Sequence, residues 1–175
     1  MCIRDSFYTE QEFEIGSLVR RHPHKRFLEL GRSCVLKNYR GKRTVELLWQ
    51  GIWAYVLRHR IDVLFGCASL AGTDLATLDT SLSFLRENAS APEEWQVSAL
   101  PHRHVAMGAG RCEDPRRALG GLPPLLKGYL RLGGYIGDGA VVDRQFGTTD
   151  VLVVLPVSRI LSLIHISEPT RLRRI

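Results

Sequence analysis

Residues 28–55, LELGRSCVLKNYRGKRTVELLWQGIWAY, constrain the fold more than any other stretch of the chain. The apolar run from Leu28 to Leu36, bounded by turn-prone residues, predicts a buried strand. Residues 37–43, KNYRGKR, are too cationic to be buried and read as a loop. Thr44 is a suitable N-cap, and Val45, Leu47, Leu48, Ile52, Tyr55 and Val56 follow at spacings that give a helix over 44–59 one apolar face. Residues 61–68, IDVLFGCA, predict a second buried strand. Strand, helix and strand in this order form a right-handed crossover between parallel strands. Ligands of such units collect at the carboxyl ends of the strands, where the basic loop lies. The free amides and positive dipole end of the helix, with Arg40, Lys42 and Arg43 beside them, suit a phosphate. The alternative reading of that charge run is a solvated basic loop.

Length and composition narrow the class. A chain of 175 residues that is 45% hydrophobic and 24% charged supports one globular domain with its own core. No window approaches the apolar length of a membrane span, and residues 1–14 lack the apolar centre of a signal peptide, so the expected location is the cytoplasm. The four cysteines, Cys2, Cys34, Cys67 and Cys112, stand far apart, with neither zinc-site nor disulfide-framework spacing. Cys34 and Cys67 fall in apolar runs and read as small core residues. The first six residues, MCIRDS, and the tail from about residue 161, LSLIHISEPTRLRRI, look like translated adapter sequence. Setting aside Arg171, Arg173 and Arg174 against Glu168 in the tail lowers the formal charge from +6 to +4 for residues 7–160. That mild excess suits an acidic partner or a phosphorylated ligand and is too small for a nucleic-acid footprint.

Along the rest of the chain, residues 7–19 read as an acidic connector in which Thr9 caps a helical turn. His22 and His24 lie in a basic loop and read as solvated. Asp74 is the expected N-cap of a helix ending near Asn88. Residues 95–100 predict a strand, after which His102 and His104 share one face and read as surface groups, since no third metal donor is near. Helical spacing over 115–132 carries Pro123 and Pro124 at the first turn of its second half and stops at Gly133 and Gly134. Residues 135–142 and 148–157 predict a terminal hairpin with Asp138, Asp143 and Asp150 spread through it.

The segments LELGRSCV, YRGKRT, LLWQGIWAYVLRH, IDVLFGCASLAGTD, LPPLLKGYLRLGGYIGDGAVVD and QFGTTDVLVVLPV together resemble the ornithine-acyl-carrier-protein N-acyltransferase family. This is the lyso-ornithine lipid synthase branch of the GNAT-like, hemolysin-like acyltransferases. The resemblance runs from about residue 7 to 160, the C-terminal part of such a domain. It implies an α/β fold, a mixed sheet flanked by helices, lacking the first strands and helices of the full GNAT fold. The implied activity is transfer of a 3-hydroxyacyl chain from acyl carrier protein to the α-amine of L-ornithine. The donor would be the acyl-phosphopantetheine of the carrier protein, with no bound cofactor, no metal and no nucleic-acid partner. The lipid product implies peripheral association with the inner face of the membrane. Two alternatives stand beside it: a GNAT-like enzyme using acyl-CoA or making an acyl-homoserine-lactone-type signal, and an inactive fragment that binds carrier protein.

Glu29 is the candidate base or the group that orients the ammonium, the alternative being a structural ion pair at the strand start; Arg32 is the second catalytic candidate, three residues on and so on the opposite face of an extended strand, where pairing with Glu29 needs a bulge. By the same resemblance, Ser33, Cys34 and Val35 would lie along the pantetheine arm on a strand splayed from its neighbour. A backbone amide there would stabilise the oxyanion, an effect of about 3–4 kcal/mol. Arg40, Gly41, Lys42, Arg43 and Thr44 would hold the phosphate, and Asp138, Asp143 and Asp150 are acids for the cationic δ-amine. In a complete enzyme of this family, Arg40→Ala combined with Arg43→Ala should raise the donor KM and flatten its salt dependence. Steady-state kinetics across ionic strength check this, and an unchanged donor KM contradicts the phosphate assignment.

Overall fold

The computed structural model describes residues 6–31, 35–39, 41–108 and 110–160, except for the side chains of Lys42 and Val45. Among them, five strands form one mixed sheet in the order β1-β2-β5-β4-β3. These are β1 (Phe27–Glu29), β2 (Val63–Ala71), β3 (His104–Val105), β4 (Tyr135–Asp143) and β5 (Thr148–Pro156). β1 and β2 are parallel, from Phe27 opposite Val63 to Glu29 opposite Phe65, and the helix α2 (Lys42–His59) crosses between them. The expected crossover unit is therefore present. β2 pairs antiparallel with β5 over its whole length, and β5 and β4 form the expected hairpin.

Alternation along the strands divides the core. Val63 and Phe65 of β2, with Leu152 and Val154 of β5, face a layer that includes Phe13, Ile15 and Leu18. Ile15 and Leu18 belong to the short helix α1 (Ile15–Arg21). Ala68, Leu70, Val151 and Val153 face the helices α3 (Leu75–Ala89), α4 (Pro115–Gly121) and α5 (Pro124–Arg131). Asp74 caps α3 as expected by accepting from the Ala76 amide at 3.0 Å, Pro123 and Pro124 stand at the start of α5 as expected, and Pro115 opens α4. Residues 7–19 are therefore no connector, because Phe13, Ile15 and Leu18 seal one face of the sheet.

Four expected details change. Among the described residues the first strand runs from Phe27 to Glu29, and the Leu30 amide still bonds across, to Phe65 O at 2.7 Å; residues 32–34 of the expected strand lie outside the described residues. Helix α2 starts at Lys42 with Gly41 as its N-cap, two residues before the turn that Thr44 would have opened. Its inward face is Ile52, Trp53 and Val56, while Leu47, Leu48 and Tyr55 are exposed. Residues 96–100 do not form a strand; they cross the sheet edge through isolated bridges, Phe13 to Ala99 and Ser98 to Asp138. A bulge in β4 causes this, since its register against β5 shifts between Ile136 and Ala140. The left-handed Gly139 belongs to that bulge. Asp138 turns its backbone to Val97 and Ala99 instead, at 2.8 and 2.9 Å.

One close approach fixes where β1 leaves β2. A methyl group on Gly66 would overlap the backbone carbonyl of Leu30, whereas a methyl on Gly51, in exposed α2, meets nothing within 4 Å. Gly66→Ala should therefore lower stability by about 1–3 kcal/mol through overpacking against backbone. Gly51→Ala should raise it by about 0.5–1 kcal/mol through helix propensity. Chemical denaturation of the two variants checks the opposite signs.

Candidate active site

At the carboxyl end of β1 and β2, the layer formed by residues 8–12 lays a run of polar groups against the sheet. The Glu29 carboxylate, the last of β1, accepts from the Tyr8 amide at 2.9 Å, the Thr9 amide at 2.7 Å and the Thr9 hydroxyl. Thr9 is fully buried, so it does not cap a solvated turn; it links Glu29 to the next strand. The Cys67 thiol of β2 lies 3.9 Å from the Thr9 hydroxyl and donates to Glu12 Oε2 at 3.3 Å. The other Glu12 oxygen meets the Arg103 guanidinium at 3.2 Å.

Glu12 does not stand alone. One carboxylate oxygen each from Glu12, Asp143 and Asp150 lie within 4.8 Å of one another. Glu12 and Asp150 are each only 7% exposed. Asp143 Oδ1 accepts from the Gln145 and Phe146 amides at 2.8 and 3.1 Å, which builds the hairpin turn. Asp150 Oδ1 is buried and has no hydrogen-bond partner among the described residues. Such an acceptor costs about 1–3 kcal/mol when left unpaired. Burial first, and then the negative charges of Asp150 and Asp143, push the Glu12 carboxyl above its usual range, against the lowering effects of Cys67 and Arg103. Burial, followed by the neighbouring Glu12 charge, likewise raises the Cys67 thiol, so it is no thiolate nucleophile.

The expected site residues separate into groups. Glu29 is placed beside this cluster with three donors on its carboxylate. Asp143 and Asp150 come together, but Asp138 does not join them. The β4 bulge sends it to the sheet edge, where Ser98 donates to it at 3.2 Å and His104 stands at 3.6 Å. Arg32, Ser33, Cys34 and Arg40 lie outside the described residues, as does the side chain of Lys42. Val35 is half-buried, and Gly41, Arg43 and Thr44 form the start of α2. There Gly41 is an extended N-cap without a side-chain cap bond, and space around its Cα is open. Arg43 and Lys37 are exposed beside those first-turn amides.

Two larger cavities lie on the helical face. One of about 550 Å³ runs between α2 and α5 and is walled by Trp49, Trp53, Leu132 and Ile160. The other, about 600 Å³, is lined by Arg116, Lys127, Arg131 and Arg159 and by no carboxylate among the described residues. Sequence reasoning did not find Glu12, because an acid within TEQEFE looks solvated until Thr9 and Phe13 on either side prove buried.

Comparison with known proteins supplies the family. The domain described as acetyltransferase (GNAT) matches over residues 2–50. An L-ornithine N(alpha)-acyltransferase of Rhizobium meliloti (strain 1021) is 56% identical over 88% of this chain and 53% of its own length. Proteins of that name from Agrobacterium fabrum and Brucella abortus are 56% and 55% identical, each over 89% of this chain and over 54% and 56% of their own lengths. The chain thus spans about half the length of the curated relatives it matches. No solved structure matches it.

The raised Glu12 carboxyl sets a pH dependence. A carboxyl that holds its proton more tightly when folded contributes stability in full below its unfolded value, 4.5, and loses it as pH rises through the folded value. The melting temperature should therefore fall as pH is raised from about 4.5. Glu12→Gln should flatten that decline, as thermal melts at a series of pH values would record.

Proposed function

Over the half of its relatives that it spans, this chain belongs to the L-ornithine N(alpha)-acyltransferases, a GNAT-type family, and we propose that it takes part in acylating the α-amine of L-ornithine. The donor in this reading is a 3-hydroxyacyl thioester on the phosphopantetheine of acyl carrier protein, and the product is lyso-ornithine lipid. The observation that carries it is the identity of 56% over 156 residues with the Rhizobium meliloti relative. The end of β1 at Glu29, with the buried acids linked to it through Thr9 and Cys67, supports it.

Each part of the reaction has a group to serve it. The amine nitrogen attacks the thioester carbon, the carbon–sulfur bond breaks, and the pantetheine sulfur leaves as the thiol with the proton the amine gives up. An α-amine with a pKa of about 7.7–8 is far more often neutral at pH 7 than a side-chain amine near about 10.4, so a modest base suffices. Gly41, Lys42, Arg43 and Thr44, with Arg40, hold the single phosphate at the start of α2. Ser33, Cys34 and Val35 run beside the pantetheine. The apolar groove of Trp49, Trp53, Leu132 and Ile160 suits the acyl chain. The cation-lined cavity on the same face suits an acidic carrier protein and would speed its encounter at low salt. Glu29, held by three donors, is the base or the group that orients the acceptor, and Arg32 accompanies it.

Among the described residues no helix is long and apolar enough to cross a membrane. Exposed Leu47, Leu48 and Leu57 of α2, flanked by Arg43 and Arg58, favour peripheral contact with a lipid surface where the product is released. The reading is tested by supplying ornithine with acyl carrier protein or CoA as the 3-hydroxyacyl carrier and following thiol release. Ornithine-dependent release from the carrier protein, at a kcat/KM at least tenfold above CoA, is the expected result. Preference for CoA would instead favour the general GNAT alternative, and carrier-protein binding without release would favour a docking fragment.

A further inference from the structure

We infer that Glu12, Asp143 and Asp150 form a pocket for the side-chain ammonium of a diamino acid, and that a proton held among the three carboxylates leaves as the ammonium enters. The inference rests on the reading of the acceptor as a diamino acid, and goes beyond it by assigning specificity to residues of three separate elements.

Geometry supports an ammonium. An N–H···O distance of about 2.8 Å with tetrahedral angles places acceptor oxygens roughly 4.6 Å apart, and the three carboxylate oxygens here lie within 4.8 Å of one another. The unpartnered, buried Asp150 Oδ1 is an acceptor waiting for a donor. Three of the six carboxylate oxygens are already engaged, Asp143 Oδ1 by backbone amides, Glu12 Oε1 by Arg103 and Glu12 Oε2 by the Cys67 thiol, so an entering ammonium finds Asp150 Oδ1 without a competing donor and shares the Glu12 carboxylate with its present partners. Access comes past Ser69, which is exposed and lies opposite Asp150 in the ladder, and past half-exposed Asp143.

Charge supports the proton. The groups facing Glu12 are Cys67 from β2, Asp150 from β5, Asp143 from β4 and Arg103 from the turn before β3. Glu29 is screened from it by Thr9. One guanidinium faces three carboxylates, and burial together with the Asp150 and Asp143 charges raises the Glu12 carboxyl above its usual range, so Glu12 is the group whose proton an ammonium displaces. An entering ammonium brings the same charge with three directed donors, so the proton is released to solvent and net charge is conserved.

Calorimetry on the 175-residue chain tests this with ornithine, with 5-aminopentanoate (the same skeleton without the α-amine), with norvaline (the same skeleton without the side-chain amine), and with magnesium and calcium chloride. Ornithine and 5-aminopentanoate should bind and norvaline should not. Titrations at a series of pH values upward from 4.5, each in two buffers of different ionisation enthalpy, should show a net release of protons that fades as Glu12 deprotonates. Affinity should strengthen by up to about tenfold per pH unit while Glu12 still carries its proton. Asp150→Asn should weaken ornithine binding at least tenfold and raise the melting temperature; should it fail to fold, Glu12→Gln must abolish the proton release. Equal binding of norvaline, binding without proton release, binding of the divalent ions alone, or no binding of any probe overturns the inference. Acyl transfer whose ornithine KM survives Asp150→Asn removes the pocket and leaves the acylation reading intact, whereas proton-linked binding with no transfer from either donor does the reverse.

Discussion

The carboxylate of Glu29 fastens the first described segment to the sheet. It takes two backbone amides and a hydroxyl from Tyr8 and Thr9. Hydrogen bonds to a charged acceptor contribute about 1.5–3 kcal/mol each when well made. Because Glu29 closes β1, those bonds hold residues 8–12 over the carboxyl ends of the parallel pair. The Phe13 to Ala99 bridge and the Leu100 amide on Glu12 O hold the other side of the same segment. Between these two attachments Glu12 is left only 7% exposed. Its burial, its raised carboxyl and its contact with Cys67 all follow from an anchor seventeen residues further along the chain.

The sheet then separates two kinds of surface. Odd positions of β2 and even positions of β5 support the layer that carries Glu12, while the alternate positions support α3, α4 and α5. Acids collect on the first side at the end of β2, through Asp150 and Asp143 of the hairpin. Apolar and cationic cavities collect on the second side, against α2 and α5. β1 parts from β2 beside Gly66, whose missing side chain lets the Leu30 carbonyl lie against it. In the proposed reaction the thioester comes from the helical side and the amine from the acidic side, and that parting is where they meet.

The hairpin, α3 and the paired helices α4 and α5 were legible in the sequence because their signals are local: alternation of Val and Leu in 148–157, the Asp74 cap, and prolines at first turns. The parallel pair was legible through its basic crossover. What sequence could not show depends on partners remote in the chain. Residues 95–100 carry strand-like residues, yet the β4 bulge gives them only scattered bridges. The same bulge moved Asp138 away from Asp143 and Asp150, although all three lie in one short stretch. Glu12 sat unnoticed among Glu10 and Glu14, because nothing in TEQEFE distinguishes the acid that the fold buries from those it leaves in water.

A buried acid with an unpaired oxygen is hard to explain by stability. Replacing Asp150 with an apolar residue of similar size would complete a strand that is buried from Thr149 to Pro156 and would relieve repulsion at Glu12. The hairpin turn needs only Asp143, whose oxygen already serves two amides. The Arg103 contact needs only Glu12. Asp150 is thus the one member of the cluster with no structural duty among the described residues, and it is also the one whose oxygen lacks a donor. Local rules of folding are broken where a site requires it. In the proposed pocket the donor that Asp150 lacks comes from a cation that the fold itself does not supply.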